Sequence, residues 1–318
     1  MIRIALPLLA ALACNLPAAQ AQDGLVAHEV ATGVYAFIGD GGEPDAGNRG
    51  FAANSGFVVG ASGVVVIDTG ASRKHGERML AAIAGITPLP VVLVVDTHAT
   101  QEFIFGNGAF AERGIPVLAH RETARLMQAR CAHCLENLRP ALGAELEGTS
   151  LVLPSREVDG DLTLEAGGRR LELIHPGWAA TPGDLAVLDT ATGTLFAGGL
   201  VTAGRIPDMR DCDFDTWLLA LERLAALSPR RVVPGFGPPS GTEAIAATAA
   251  YLRDLDARVR ALYARSGSLL EALDEAGLPA YEGWRQYAQL HRRNAQHRYL
   301  QLETLDLGGD PRSVAQPQ

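Results

Sequence analysis

The residues with the clearest chemical potential follow an apolar run, Val91–Val95, which is typical of a buried strand. Asp96, Thr97 and His98 come directly after it, and Glu102 stands four residues beyond the histidine. Active sites of layered α/β proteins commonly lie at such strand ends. An imidazole and a carboxylate at this spacing could form an acid–base pair or bind a metal ion. A catalytic zinc ion needs three protein ligands, however, and this stretch offers only two candidates.

A second candidate is Cys131-Ala-His-Cys134, which has the spacing of redox and zinc sites. The pair follows a helix-like stretch, residues 121–130, whereas a redox pair is expected at the start of a helix. A zinc site would need two further ligands, and only His133 lies nearby. We therefore predict a local disulfide between Cys131 and Cys134 that holds a loop, while a redox role stays open. Cys212 is predicted to be a lone thiol.

Periodic patterns indicate which elements must position these residues. Strand pairs recur in both halves of the chain, with helical patterns between and after them. The predicted strands cover residues 33–39, 54–59, 64–67, 91–95, 116–119, 162–164, 171–174, 184–188 and 195–197. The predicted helices cover residues 73–85, 217–224, 242–265, 269–276 and 284–302.

Composition limits the class of protein. The chain has 318 residues, of which 47% are hydrophobic and 20% are charged, so it can bury a sizeable core. Its formal charge of −9 argues against a nucleic-acid partner, because such a partner favours a basic surface. We expect one globular domain with additions at the termini.

The N-terminus resembles a secretory signal. Arg3 precedes an apolar stretch, Ile4–Cys14, and Ala19-Gln-Ala21 matches a small-x-small cleavage site. This stretch is too short to span a bilayer, and no other segment is predicted to do so. The alternative is a lipoprotein modified at Cys14, but Ala11 stands where such a signal usually has leucine. We predict a periplasmic or secreted protein.

Four blocks carry a resemblance to the metallo-β-lactamase fold superfamily. Residues 98–103 occupy its His-x-His-x-Asp-His signature, and residues 180–184 its His-Thr-x-Gly-Asp motif. Residues 196–199 are similar to Phe-x-Gly-Asp, and residues 232–237 to Val-Pro-Gly-His-Gly. The resemblance implies an α/β (α+β) fold, an αββα metallo-β-lactamase-type sandwich with C-terminal helices, whose site lies at one edge between the sheets.

The resemblance also implies a zinc centre, which this sequence does not reproduce. Of the seven ligand positions, His98 is kept and Glu102 is a related carboxylate. The other five hold side chains with little or no affinity for metal, namely Thr100, Phe103, Ala180, Gly199 and Phe236. We therefore expect no metal cofactor, and we expect the two phenylalanine rings to fill the former metal cavity as a packed or ligand-lined apolar pocket.

Four further residues are candidates for this pocket. Asp68 ends a predicted hairpin and is expected to bond loop amides rather than a metal. His120, His175 and Asp184 lie at the ends of other predicted strands. Either histidine could in principle complete a rearranged site. The alternative for His98 is a strand-end histidine paired with the backbone or with Glu102.

Within the superfamily, the chain most resembles the quinoprotein relay system zinc metallohydrolases, which are exported proteins associated with quinone-dependent dehydrogenase systems. The leader, the segment 217–224 and the tail His291-Arg-Arg-Asn294 carry this resemblance. We predict a catalytically inactive homologue, a pseudoenzyme, that binds a small-molecule ligand or a periplasmic quinoprotein-system partner. The alternative is a metal-dependent hydrolase with a rearranged site around His98 and Glu102, or a metal-free acid–base pair of these residues.

The predicted organisation has four parts. Residues 1–21 form the signal peptide, and residues 22–242 form the metallo-β-lactamase-like domain. A helical extension follows over residues 243–307, and residues 308–318 are predicted to be a disordered tail.

Overall fold

A computed structural model describes residues 24–265 and 268–314, so the predicted signal peptide lies outside the described residues. Within them, two β-sheets face each other and helices cover the outer surface of each. The predicted αββα sandwich with C-terminal helices is confirmed. None of the helices in these ranges is long and apolar enough to cross a bilayer.

The first sheet changes from antiparallel to parallel pairing along its width. Its first four strands are antiparallel neighbours, and the last four pair in parallel through helical crossovers. Among the described residues its seven strands, in sheet order, are β1 (His28–Ala31), β2 (Val34–Phe37), β3 (Ser55–Val59), β4 (Val64–Ile67), β5 (Val91–Val95), β6 (Val117–His120) and β7 (Arg156–Val158).

The second sheet consists of four consecutive antiparallel strands and a fifth strand that pairs in parallel at one edge. Described in chain order, its five strands are β8 (Leu162–Ala166), β9 (Arg169–Ile174), β10 (Ala186–Asp189), β11 (Thr194–Phe196) and β12 (Arg231–Val233). The pair β11–β12 is parallel because a helix connects the two strands.

The helices of the described ranges lie between the strands and at the C-terminal end. They are α1 (Arg73–Ile86), α2 (Gln101–Ile104), α3 (Asn107–Ala111), α4 (Arg121–Leu142), α5 (Phe214–Ala226), α6 (Glu243–Arg265), α7 (Leu269–Asp274) and α8 (Arg292–Asp306). Short 3₁₀ turns cover Gly143–Leu146, Gly198–Leu200, Pro279–Tyr281 and Pro311–Val314, and a π-helical turn covers Tyr287–His291.

The period-two pattern of β4 explains how one strand serves two apolar layers. Val65 and Ile67 point between the sheets, where they join Phe196 of the second sheet. Val64 and Val66 point to the opposite face and join the residues of α1 and α3. Because both faces are covered, the strand is apolar at every position, as expected for a buried parallel strand.

The C-terminal helices pack on the outer face of the second sheet. Residues of α5, α6 and α8 share one buried cluster with residues of β10, β11 and β12. Trp217 of α5 is fully buried, and its indole N–H donates to the carbonyl oxygen of Leu200 at 3.0 Å. This bond fixes the 3₁₀ turn Gly198–Leu200, which contributes to the site described below.

The structure corrects three expectations about local elements. Cys131 and Cys134 lie one turn apart inside α4, so no loop exists there for a disulfide to hold, and both are free thiols. The helix predicted from residue 284 is interrupted at Gln286, which has a left-handed φ of 64°, and α8 begins only at residue 292. Pro311–Val314 form a helical turn against α8 rather than a disordered tail, and residues 315–318 lie outside the described residues.

His75 of α1 is a buried titratable group at the edge of this core. It is 1% exposed, and neither ring nitrogen has a hydrogen-bond partner among the described residues. Burial, together with the neighbouring charges of Arg78 and Arg49, lowers the pKa of His75 to about 3. Because the unfolded chain binds a proton near pH 6.5 and the folded one does not, His75 makes the fold less stable as the pH falls from about 6.5 towards 3.

We expect His75→Leu to raise the free energy of unfolding by about 1 kcal/mol at pH 7.5, since it removes an unsatisfied buried polar group. The gain should grow by about 2 kcal/mol at pH 5, where the wild-type unfolded state is protonated. Urea denaturation at pH 7.5 and at pH 5 measures the gain in the free energy of unfolding and its growth at the lower pH. The exposed His133 of α4 provides the control, since His133→Leu removes an imidazole that is not buried. An equal gain for His75→Leu at both pH values would contradict this prediction.

Candidate functional site

The predicted ligand positions converge on one cavity of about 80 Å³ at an edge of the sandwich. Six of the seven line it, namely His98, Thr100, Glu102, Ala180, Gly199 and Phe236. The seventh, Phe103, is fully buried directly behind His98. The blocks that the sequence places far apart therefore meet at one point.

The loop after β5 delivers His98 to this cavity through a network around Asp68. The Asp68 carboxylate accepts hydrogen bonds from the Thr97 amide at 2.8 Å and from the Thr97 hydroxyl at 2.9 Å. Asp68 itself has a left-handed φ of 58°, a conformation that Asp tolerates better than most residues. The Leu185 amide donates to the Thr97 carbonyl oxygen at 2.8 Å and ties the loop to the second sheet.

Both ring nitrogens of His98 are engaged by hydroxyl groups. Nδ1 lies 2.9 Å from Thr97 Oγ1, and Nε2 lies 2.9 Å from Thr100 Oγ1. Because Thr97 donates its own proton to Asp68, its oxygen accepts from Nδ1, and Nε2 then accepts from Thr100. The expectation that His98 pairs with the backbone or with Glu102 is therefore wrong. Burial lowers the pKa of His98 to about 3, so the imidazole is neutral.

Aromatic rings pack at two positions where the sequence resemblance implies imidazole ligands. The ring centroids of Phe103 and His98 are 4.2 Å apart, and Phe103 meets Phe236 edge-on at 5.5 Å. Gly199 closes the opposite side so tightly that a Cβ atom there would lie 2.7 Å from His98 Nε2. No side chain larger than hydrogen fits at Gly199 without moving the imidazole.

These side chains do not fit a zinc centre. Within residues 24–265 and 268–314, no three His, Cys, Asp or Glu side chains are grouped so that they could hold a metal ion. The retained histidine already uses both nitrogens, and its Nε2 faces a hydroxyl and a glycine. A mononuclear catalytic zinc needs three protein ligands and an open position, so no step of a reaction can be assigned to a metal here.

The loop that carries Phe236 is held by Asn54, which precedes β3. The Asn54 side-chain amide donates to the carbonyl oxygens of Pro234 at 2.8 Å and Gly237 at 2.7 Å. On the other side, the Ala203 amide donates to the Phe236 carbonyl oxygen at 2.9 Å. The backbone around Phe236 is therefore held from both sides.

Charged residues that sequence reasoning missed form the remaining wall of the cavity. They come from the segment after the Gly199 turn and from α4, and they are Arg130, Arg205, Asp208, Arg210 and Asp211. Two pairs are formed: Arg130 contacts Asp211 at 2.6 Å, and the Arg210 Nε donates to Asp208 at 2.8 Å. Residues 205–213, which directly follow a motif block, are rich in charged side chains, and this density of charge could have indicated the charged wall.

Glu102 and the two thiols also face the cavity. Burial raises the pKa of Glu102, and the charge of Arg205 opposes that shift. The hydrogen bond between the thiols raises the pKa of Cys131 and lowers that of Cys134. The cavity wall thus combines one carboxylate, one polarised thiol pair and several guanidinium groups.

The other proposed pocket members lie away from the cavity. His120 and His175 stack on each other with ring centroids 3.9 Å apart, at the start of α4. The His120 Nδ1 accepts from the Glu122 amide at 3.2 Å and caps that helix, and the His175 Nδ1 lies 2.9 Å from the Asp184 carbonyl oxygen. These bonds hold the two histidines outside the cavity, so neither completes a site with His98.

Asp184 plays a supporting part similar to that of Asp68. Its carboxylate accepts from the amide and the hydroxyl of Thr181, each at 2.7 Å. Burial raises the pKa of both aspartates to about 7. Each carboxylate therefore shapes a loop that borders the cavity without lining it.

Comparison with known families agrees with this geometry. The family model described as the Metallo-beta-lactamase superfamily matches residues 48–235, more than half of the chain. The chain belongs to the metallo-β-lactamase superfamily. The matched range includes six of the seven ligand positions that the resemblance implies, and Phe236 lies one residue beyond it.

Solved metallo-β-lactamase structures share the fold. A metallo-β-lactamase from Pontibacter korlensis is similar with a TM-score of 0.58 and 24% identity, covering 72% of this chain and 99% of that one. A metallo-β-lactamase from Erythrobacter litoralis, solved with β-mercaptoethanol in its active site, is similar with a TM-score of 0.56 and 22% identity, covering 73% and 97%. At these identities the likeness concerns the fold alone.

Proposed function

We propose that this chain is an exported superfamily member of the quinoprotein relay type whose zinc site is degenerate, and that it binds a small molecule or a periplasmic partner without hydrolysing it. One observation carries the proposal. Six of the seven positions at which the resemblance implies zinc ligands line one cavity, yet His98 is the only imidazole among the seven, and the seventh residue, Phe103, packs against its ring at 4.2 Å.

The chemistry of the cavity supports binding over hydrolysis. A metal-dependent hydrolase relies on zinc to lower the pKa of its bound water towards 7. Here the residue best placed to replace that function, His98, has both nitrogens in hydrogen bonds to threonine hydroxyls. Water would therefore meet no free base at this position, whereas the charged and apolar wall can still hold a ligand.

A metal-free hydrolase is the second candidate, because His98 and Glu102 line the same cavity and burial raises the pKa of Glu102. An acid–base pair needs two carboxyl or imidazole groups with shifted pKa values within reach of one substrate. Substituting His98 with glutamine distinguishes the two proposals. Loss of an ester or lactam hydrolysis activity would favour the hydrolase.

Metal content tests the proposal directly. The protein is exported to a periplasm, purified without chelator or immobilised metal, and measured by elemental analysis. We expect zinc well below one ion per chain, and no rise in melting temperature when zinc is added, because a ligand that binds only the folded state would stabilise it. A zinc-containing β-lactamase prepared in parallel controls for loss of metal. One zinc per chain that disappears in His98→Ala would overturn the degenerate site.

A further inference from the structure

Two thiols line the cavity but stand at none of the seven ligand positions. Cys131 and Cys134 lie one turn apart on α4, and they face the cavity together with Leu126 and Arg130 of the same helix. Cys131 is 1% exposed and Cys134 is 6% exposed, and the two thiols are hydrogen-bonded to each other. A buried cysteine often serves only as a small apolar side chain, but these two meet at a cavity rather than in a closed core.

The surroundings of the pair make its two thiols unequal. The hydrogen bond with Cys131 lowers the pKa of Cys134, burial opposes this shift, and the charge of Arg210 adds to it. The same hydrogen bond raises the pKa of Cys131, and burial raises it further. Because the thiolate is the reactive form of cysteine, Cys134 is the nucleophile of the pair, while Cys131 stays protonated beside it.

The pair lies in the middle of a helix, unlike a redox pair at a helix start. At a helix start, the positive end of the helix dipole stabilises the thiolate, but this effect is confined to the first turn. Cys131 is more than two turns into α4, so the Cys131 thiol and the charge of Arg210 take the place of the dipole. A soft metal ion would need both sulfur atoms as thiolates, which the raised pKa of Cys131 opposes.

The depth of the two thiols limits which reaction partner can reach them. Both sulfur atoms face a cavity of about 80 Å³, and neither cysteine is more than 6% exposed. A disulfide on the surface of another protein could not approach either sulfur unless α4 moved. A small molecule could enter, because the cavity lies at an edge of the sandwich.

We propose that Cys131 and Cys134 form a thiol–disulfide exchange site, at which a small-molecule disulfide enters the cavity and is reduced. The Cys134 thiolate attacks one sulfur atom of the disulfide, which forms a mixed disulfide and releases the first small thiol with the proton that Cys134 has lost. Cys131 then gives up its proton and attacks Cys134 Sγ, which joins the two cysteines and releases the second small thiol with that proton. The cysteine pair loses two electrons, the small disulfide gains them, and an excess of small thiol reverses the reaction.

The second step requires a local change in α4. Residues three apart on an α-helix have Cβ atoms about 5–6 Å apart, whereas a disulfide needs about 3.5–4.5 Å. Tightening the turn from Cys131 to Cys134 towards a 3₁₀ conformation aligns the two side chains. Because the disulfide forms against the preference of the helix, we expect small thiols to reopen it readily, as exchange requires.

The reaction of the mature exported chain with hydroxyethyl disulfide tests the proposal. The chain is first reduced and freed of reductant, and intact-mass spectrometry and an assay of released 2-mercaptoethanol then follow the two steps. We expect the wild type to end with Cys131 joined to Cys134 and with two small thiols released per chain. Trapping with iodoacetamide and peptide mapping show which sulfur carries the mixed disulfide on the way, so the wild type alone can contradict the proposal.

Three serine variants separate the roles of the cysteines. Cys131→Ser keeps a hydrogen-bond donor but removes the second thiol, so the reaction should stop at the mixed disulfide with one small thiol released. Cys134→Ser should react at least about tenfold more slowly, because the thiol that remains is the less ionised one. Cys212→Ser should react like the wild type, since Cys212 is 0% exposed and belongs to a different buried cluster.

Three results would overturn the proposal. A mixed disulfide on Cys131 rather than Cys134 would reverse the assigned roles. A wild type that reacts no faster than Cys134→Ser, or that forms no adduct at all, would remove the exchange site. Reduction of the disulfides of insulin as fast as that of hydroxyethyl disulfide would overturn the restriction to small molecules.

The exchange site does not depend on the proposed function, and the same samples keep the two apart. Their zinc content is measured before the reaction with hydroxyethyl disulfide. Protein free of zinc that does not react would overturn the exchange site and leave the degenerate zinc site standing. One zinc per chain that disappears in His98→Ala would overturn the degenerate zinc site, whatever the thiols do.

Discussion

Replacing Phe103 with alanine should lower the free energy of unfolding by about 3–5 kcal/mol, the range for truncating a buried aromatic ring. The side chain is 0% exposed and packs against both His98 and Phe236. Truncation would open a void at the point where the family binds metal, and the surrounding loops are fixed by hydrogen bonds that limit their collapse. Guanidinium denaturation of the wild type and variant measures the loss.

A double-mutant cycle shows whether the effect belongs to the site. The edge-to-face pair of Phe103 and Phe236 should give a coupling energy of about 0.5–1.5 kcal/mol between their alanine variants. Phe110 is an equally buried phenylalanine in a different cluster, so Phe103→Ala and Phe110→Ala should be additive. A loss below about 1 kcal/mol for Phe103→Ala, or restoration of Phe103→His by added zinc, would show that the rings do not replace a metal centre.

The αββα fold was predicted from the resemblance of four motif blocks to a known family, whereas individual strands could be predicted from their own residue patterns. The run Val91–Val95 is apolar throughout, and the structure places it as a central parallel strand. The strands Ser55–Val59 and Val64–Ile67 are joined by a turn that begins with Gly60 and ends with Gly63, and both strands were predicted to within one residue. Local patterns did not predict where tertiary contacts interrupt a helix. Gln286 has a left-handed backbone conformation, and no residue type in the surrounding helical pattern indicates it.

The site was predictable in its position but not in its bonds. Motif blocks indicated which seven positions meet, because such blocks follow the ends of strands that converge at one edge. Spacing could not show that Thr97 and Thr100 would take both nitrogens of His98, since that depends on side-chain rotamers. Nor could it show that Arg205 is buried beside Phe236, because the charged segment 205–213 has no regular period from which burial could be inferred.

Gly199→Ala should lower the free energy of unfolding by about 1–3 kcal/mol, the range for overpacking a filled interior. The added methyl group would lie 2.7 Å from His98 Nε2 and 2.9 Å from Cδ2 of the same ring. The ring of Phe103, whose centroid lies 4.2 Å from that of the imidazole, limits how far the imidazole can move. We therefore expect the His98–Thr100 hydrogen bond to break, with a shift of the imidazole signals in NMR spectra.

Two variants distinguish this clash from a general effect of removing a glycine. A Cβ atom at Gly85 of α1 has no heavy atom within 4 Å, so Gly85→Ala should stabilise the protein by about 0.5–1 kcal/mol through helix propensity. In a His98→Ala background, Gly199→Ala should lose most of its effect, because the ring it meets is gone. If Gly199→Ala is as harmful in that background as in the wild type, its effect comes from the backbone of the Gly198–Leu200 turn, and the imidazole is not what limits this position to glycine.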